Sequence, residues 1–117
     1  MDKTQLLNDL QQFTGTSTYY TLPLYKRFQY TDGIQYLARN ANCYWFIEFI
    51  FVNQTQSLLR EPIQVWKIKV IDKQAVITVD DGNNNIIKSF NLHFTDFTFD
   101  DFEVWLVDKI LILPNEY

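Results

Sequence analysis

A carboxylate kept away from water can hold a proton near neutral pH and serve as a general acid or base. Glu48 stands inside Tyr44-Trp45-Phe46-Ile47-Glu48-Phe49-Ile50-Phe51, so it is the first residue to weigh in that role. On a helix it can equally face water. Asp32 and Asp96 each follow a threonine, in Thr31-Asp32 and Thr95-Asp96. With Glu48 they make a candidate carboxylate site, able to bracket a metal or a water if the fold brings them together. Thr-Asp pairs are also ordinary capping and turn chemistry, in which side-chain oxygens accept from free amides, and that reading is preferred.

Cys43 is the sole cysteine and His93 the sole histidine. These counts exclude an internal disulfide, a cysteine-based zinc site and a multi-histidine metal site within one chain. A helix amino terminus at Cys43 would lower its thiol pKa, which makes a Cys43–His93 dyad conceivable. An ordinary buried cysteine is the expectation. Asp80, Asp81, Asn83, Asn84 and Asn85 lack the alternating acids, sixth-position glycine and closing Glu of a calcium loop, so they read as a hairpin turn. No metal and no cofactor is expected.

Charge is unevenly placed in this chain of 117 residues with net charge −4. Residues 1–89 are nearly neutral. Residues 90–117 carry Asp96, Asp100, Asp101, Glu103, Asp108 and Glu116 against Lys109 alone. Nucleic-acid binders show the opposite, a basic stripe that neutralises phosphates. Aromatics make up 17% of the residues. Most rings must fill the core, but a few left outside would suit a protein interface. The interaction candidates are therefore Asp96, Asp100, Asp101, Glu103, Trp105, Phe99 and Tyr25. A nucleic-acid-binding accessory protein, using Lys26, Arg27, Lys67, Lys69 and Tyr25, is the less favoured alternative, because rings interleaved with cations occur only at Tyr25–Phe28.

Positioning these residues falls to a single domain spanning 1–117. Leu6, Leu7, Leu10 and Phe13 recur at helical spacing, with Thr4 as cap and Gly15 after the end. Thr16–Leu22 favours a strand, and 25–30 an extended segment. Thr31 or Asp32 starts a helix through Ile34, Leu37 and Ala38, broken at Asn40-Ala41-Asn42. Cys43–Asn53 is too long for a typical strand and reads as a buried helix. A loop runs from Thr55 to Pro62. Strands follow at Val65–Val70, Ala75–Val79, Ile86–Phe94, Val104–Val107 and Ile110–Leu113, with Phe97–Glu103 as a bridge. The class is α+β: an antiparallel sheet of about five strands, with an N-terminal helix and a central helical pair packed on one face. Gly15, Gly33 and Gly82 all fall at punctuation, so none remains for a phosphate-cradling loop. The start Met1-Asp2-Lys3-Thr4 lacks signal-peptide features, and the longest apolar run, Cys43–Val52, is about half of a bilayer span. A cytoplasmic protein without membrane association is expected.

Phe13-Thr14-Gly15-Thr16, Tyr30-Thr31-Asp32-Gly33, Tyr44-Trp45, Gln64-Val65-Trp66-Lys67, Asp81-Gly82-Asn83, Thr95-Asp96-Phe97 and Leu113-Pro114-Asn115-Glu116-Tyr117 occur in that order. The ordered set resembles a family of small bacterial proteins, a domain of unknown function often carried by phages and other mobile elements. Thr98 departs from the proline expected after Thr-Asp-Phe. The resemblance implies a mobile-element accessory protein, for which inhibition of host defence is a recurring occupation. Without a catalytic spacing, the expected function is a non-catalytic protein-interaction module. Its sharpest form is an inhibitor of a host defence complex, of anti-CRISPR type, acting on a basic, nucleic-acid-binding partner through an acidic and aromatic surface. A small carboxylate-dependent enzyme is the alternative in another class. A homodimer built on an exposed strand edge is compatible with each.

Overall fold

A computed structural model describes residues 2–117. Its elements run α1 (Lys3–Leu10), β1 (Gln29–Tyr30), α2 (Asp32–Asn40), α3 (Tyr44–Val52), α4 (Gln56–Leu59), β2 (Ile63–Ile71), β3 (Gln74–Asp80), β4 (Ile86–Leu92), β5 (Asp101–Val107) and β6 (Ile110–Ile112). A final 3-10 turn covers Pro114–Glu116. The class is α+β, as the pattern implied.

The sheet has six strands in the order β1-β6-β5-β2-β3-β4, close to the five or so expected. It is, however, mixed. β1 pairs parallel with β6, through Gln29–Ile110 and Tyr30–Leu111, while the other neighbours pair antiparallel. Two residues carry no periodicity of their own, so β1 exists only because a distant strand offers it hydrogen bonds. The β2–β3 and β5–β6 hairpins close through Asp72-Lys73 and Asp108-Lys109, all four with positive φ. Such turns match the right-handed twist of the flanking strands. Gly82, at φ 88°, serves the longer β3–β4 turn.

Alternation then assigns the two faces. Trp66 and Ile68 pair with Val79 and Ile77 on one side and with Val104 and Phe102 on the other. This row points toward the helices. α3 is helical, as its length implied, and it buries Phe46, Ile47, Ile50 and Phe51. Phe49 meets Trp66 and Phe90 edge-on, with centroids 6.5 and 5.1 Å apart. α2 buries Ile34, Leu37 and Ala38. Tyr36 on α2 donates its hydroxyl to Asp9 on α1 at 2.6 Å. One continuous core joins helices and sheet. The face bearing Lys67 and Lys69 has no helix over it.

Three local readings are corrected. Asp2, not Thr4, caps α1, accepting from the Gln5 amide at 2.8 Å. A carboxylate suits the positive end of a helix dipole, and the earlier start still aims Leu6 and Leu10 at the core. Thr16–Leu22 is not a strand; Tyr20 makes only an isolated bridge with Tyr30. The Thr16 hydroxyl donates to the Thr18 carbonyl at 2.7 Å, and such short-range bonds compete with a ladder. The loop read at 55–62 contains α4, whose first turn is capped by Thr55.

Candidate functional site

Side chains from three distant motifs converge on the amino terminus of α2. The Glu116 carboxylate accepts from the Thr31 hydroxyl at 2.6 Å, the Leu113 amide at 2.9 Å and the Gly33 amide at 3.1 Å. It thereby satisfies an amide in the first turn of α2, which lacks an intrahelical partner. Thr16 accepts from the Asp32 amide at 2.9 Å. Asn115 donates to the Leu10 and Phe13 carbonyls, closing the end of α1. A Cβ on Gly33 would lie 2.6 Å from Leu113 and 2.7 Å from Glu116. Glycine is needed there for close approach. Gly33→Ala should cost about 1–3 kcal/mol, because the new methyl must displace the end of the buried Leu113 side chain and a Glu116 carboxylate held by three donors; the readout is a lower urea midpoint.

Asp32 belongs to the same knot. It accepts from the Ser17 amide at 2.9 Å and the Tyr20 hydroxyl at 3.0 Å. The Ser17 bond above all, helped by Tyr20 and Thr16 and outweighing burial, holds its carboxyl below the ordinary value. A folded pKa below the unfolded one means stability that is present above about pH 4 and lost as pH falls through the folded value. The urea midpoints of wild type and Asp32→Asn should therefore converge on acidification below about pH 4.

The three candidate carboxylates do not assemble. Glu48 is exposed on α3. Asp32 starts α2, whereas Asp96 acts electrostatically on Cys43, beyond the other end of that helix. Nine residues of helix separate those ends by about 13 Å. Among the described residues, no three His, Cys, Asp or Glu side chains group to hold a metal. Cys43 is buried, donates weakly to the Leu37 carbonyl at 3.8 Å, and burial pushes its thiol up to about 12. His93 is exposed. The native thiol should stay unmodified by a maleimide at pH 8 and react only on unfolding.

The acidic segment divides into separate environments. Asp96 and Asp100 are exposed on the loop 93–100. Asp101 and Glu103 lie in β5, opposite Lys69 and Lys67 of β2 in the register, so local positive charge balances them. Lys67 also pairs with Asp80 at 3.7 Å. The Trp105 indole donates to Glu103 at 2.7 Å and its ring meets Tyr117 edge-on. Phe99 is no surface residue: it is buried and stacked on Phe102. Tyr25 is half-buried against Phe51. The Arg27 guanidinium sits 5.3 Å from the centroid of buried Phe28. That places the ring of the basic stretch inside, not where a base could stack.

An acidic and aromatic surface does form elsewhere. Trp45, Leu92, Phe94, Thr95 and Asp96 line a groove of about 310 Å³. The Thr95 amide donates to the Lys73 carbonyl at 2.7 Å, and the Thr95 hydroxyl accepts from the Phe97 amide at 3.2 Å. This turn sends Phe97 into the core and leaves Asp96 outside. Phe94 is 70% exposed. The Asp96 side chain makes no hydrogen bond or ion pair among the described residues. Sequence reasoning found Asp96 but placed Phe94 in a strand, and its exposure follows only from β4 ending at Leu92.

Among the described residues no helix is long and apolar enough to cross a membrane. No curated protein and no solved structure matches the chain. Residues 4–117 match the model of a family of unknown function, DUF6876, and the chain belongs to that family.

Proposed function

We propose that the protein is a non-catalytic module that binds a protein partner through the groove of Trp45, Phe94 and Asp96. The observation that carries this reading is an exposed Phe94 ring beside an Asp96 carboxylate without a hydrogen-bond or ion-pair partner among the described residues. An arginine side chain fits that pairing. Its flat guanidinium stacks on an aromatic face while its edge bonds a carboxylate. Asp100 extends the acidity along the same loop. In the mobile-element setting implied by the motif resemblance, the partner is a basic, nucleic-acid-binding surface of a host defence complex. The protein then acts as an inhibitor of anti-CRISPR type.

The test is capture of a host partner by tagged protein, alongside Phe94→Ser and Asp96→Lys. Both positions are exposed, so both variants should keep the wild-type circular dichroism spectrum. Retention by wild type and about tenfold or greater loss in each variant is expected, as for an interface anchor. Equal retention by all three proteins would remove the groove from the interface.

A further inference from the structure

The sheet face without helices is self-complementary, and we propose that it is the contact between two copies of this chain. Along β2 this face carries Ile63, Val65, Lys67, Lys69 and Ile71, and along β5 Asp101, Glu103, Trp105 and Val107. Lys67 stands level with Glu103, and Lys69 with Asp101. A two-fold axis parallel to the strands, midway between β2 and β5, sets β5 of one copy over β2 of the other without changing height. Glu103 then lies over Lys67 of the second copy, and Asp101 over Lys69. Val65 is already buried within each copy, so the contact rests on the two charged rows. Both acid–base rows are matched twice by one operation, as an isologous contact requires. Face-packed sheets stand about 10 Å apart, a gap that opposed Lys and Asp or Glu side chains fill. Twist does least damage to this matching beside the axis, where the charges are.

The remaining composition of the face agrees. A solvated antiparallel sheet face reads mainly polar. Here Ile71, Val76 and Ile86 are 73, 42 and 64% exposed, and Tyr117 is 77% exposed beside Trp105. The six strands, from two residues in β1 to nine in β2, at about 4.8 Å by about 3.3 Å per residue give roughly 550 Å² per copy, or about 1,100 Å² for two, the small end of specific interfaces. Pairing through the β4 edge is less suited. Lys88 stands level with Val79 in the row that faces the helices, and an inward-facing charge discourages strand addition.

The experiment pairs two single variants, Asp101→Lys and Lys69→Glu, neither of which touches the Trp45–Phe94–Asp96 groove. In a homodimer of either variant both central contacts become like-charged. In the mixed pair both become attractive again. Sedimentation should show wild type as a dimer, each variant alone with a dimer Kd raised about tenfold or more, and the equimolar mixture restored. Wild type gives a second reading that needs no variant. High salt should raise its dimer Kd several-fold, because the central pairs are screened. A monomeric wild type, variants that dimerise as wild type does, or a mixture that stays monomeric would each overturn the proposal. Failure of wild type to capture a partner while the dimer stays intact, or equal capture by the Phe94→Ser and Asp96→Lys variants, would count only against the groove.

Discussion

Glu116→Ala lowers the unfolding free energy by about 2–3 kcal/mol, although the residue lies one position from the end of the described chain. The change removes an acceptor from three donors: the Thr31 hydroxyl, the Leu113 amide and the Gly33 amide. Leaving one buried donor unmatched costs about 1–3 kcal/mol. Glu116 itself is half-exposed, so water replaces part of the loss. Glu116→Gln keeps the shape and one carbonyl oxygen but turns an amide NH₂ toward a donor, so its cost should be intermediate. Urea unfolding of the three proteins checks the order. Amide exchange adds position: Gly33 and Ile34 should lose protection first, since the first turn of α2 loses its cap. If Thr31→Val and Glu116→Ala simply add, the 2.6 Å bond between them contributes nothing specific.

Trp66→Ala should cost more, about 3–5 kcal/mol, the usual range for removing a fully buried large aromatic. Trp66 is 0% exposed, stacks against Phe90 at 6.1 Å and meets Phe49 edge-on. Its indole adds a polar requirement. Trp66 Nε1 donates to Gln64 Oε1 at 3.0 Å, and Gln64 exchanges two amide bonds with Gln54 and donates to the Leu58 carbonyl at 2.9 Å. Gln64 is therefore a polar residue in a core row because the tryptophan beside it needs an acceptor. Trp66→Phe keeps most of the ring and removes the donor. Gln64→Leu removes the acceptor and strands the Gln54 amide. The two together should cost less than the sum of each alone, measured by denaturant unfolding, because each single change leaves a partner unmatched.

The ordered motifs are explained largely by such satisfaction of polar groups. Thr16, Thr31, Asp32, Gly33 and Glu116 build the knot at α2. Gln64 and Trp66 build the buried amide pair. Asp81 accepts from the Asn83 and Asn85 amides at 2.8 and 3.3 Å and shapes the β3–β4 turn. Thr95-Asp96-Phe97 differs in leaving a charged side chain outside, beside the exposed Phe94 ring. This is why the groove there, and not the longer motif lists, carries the functional reading.

Period-two alternation from Val65 to Val70 separates Trp66, Ile68 and Val70 from Val65, Lys67 and Lys69, and the fold turns the first set to the helices because one register satisfies both hydrophobic burial and pleat. The length and apolar content of Cys43–Asn53 were enough for a buried helix, since a strand of that length is rare. The start of α2 at Thr31 or Asp32 was equally local, and the structure selects Thr31 as the cap, its hydroxyl accepting from the Ile34 amide three residues on. Contacts between distant positions were beyond local pattern. The parallel β1–β6 pair, the reach of Glu116 to Gly33 and the separation of Asp32 from Asp96 each depend on where the chain returns, and two-residue strands or single acids carry no periodicity to signal it. The acidic last quarter shows the difference most clearly. As a sequence it is one negative run. In the fold, the alternation of β5 places Asp101 and Glu103 opposite Lys69 and Lys67, while the Thr95 turn leaves Asp96 alone beside Phe94. Composition determined how much charge and how many rings the protein has; strand pairing and one hydroxyl-anchored turn decided which carboxylates stand beside lysines and which stands at the surface without one, because electrostatic balance depends on distance in space and not on distance along the chain.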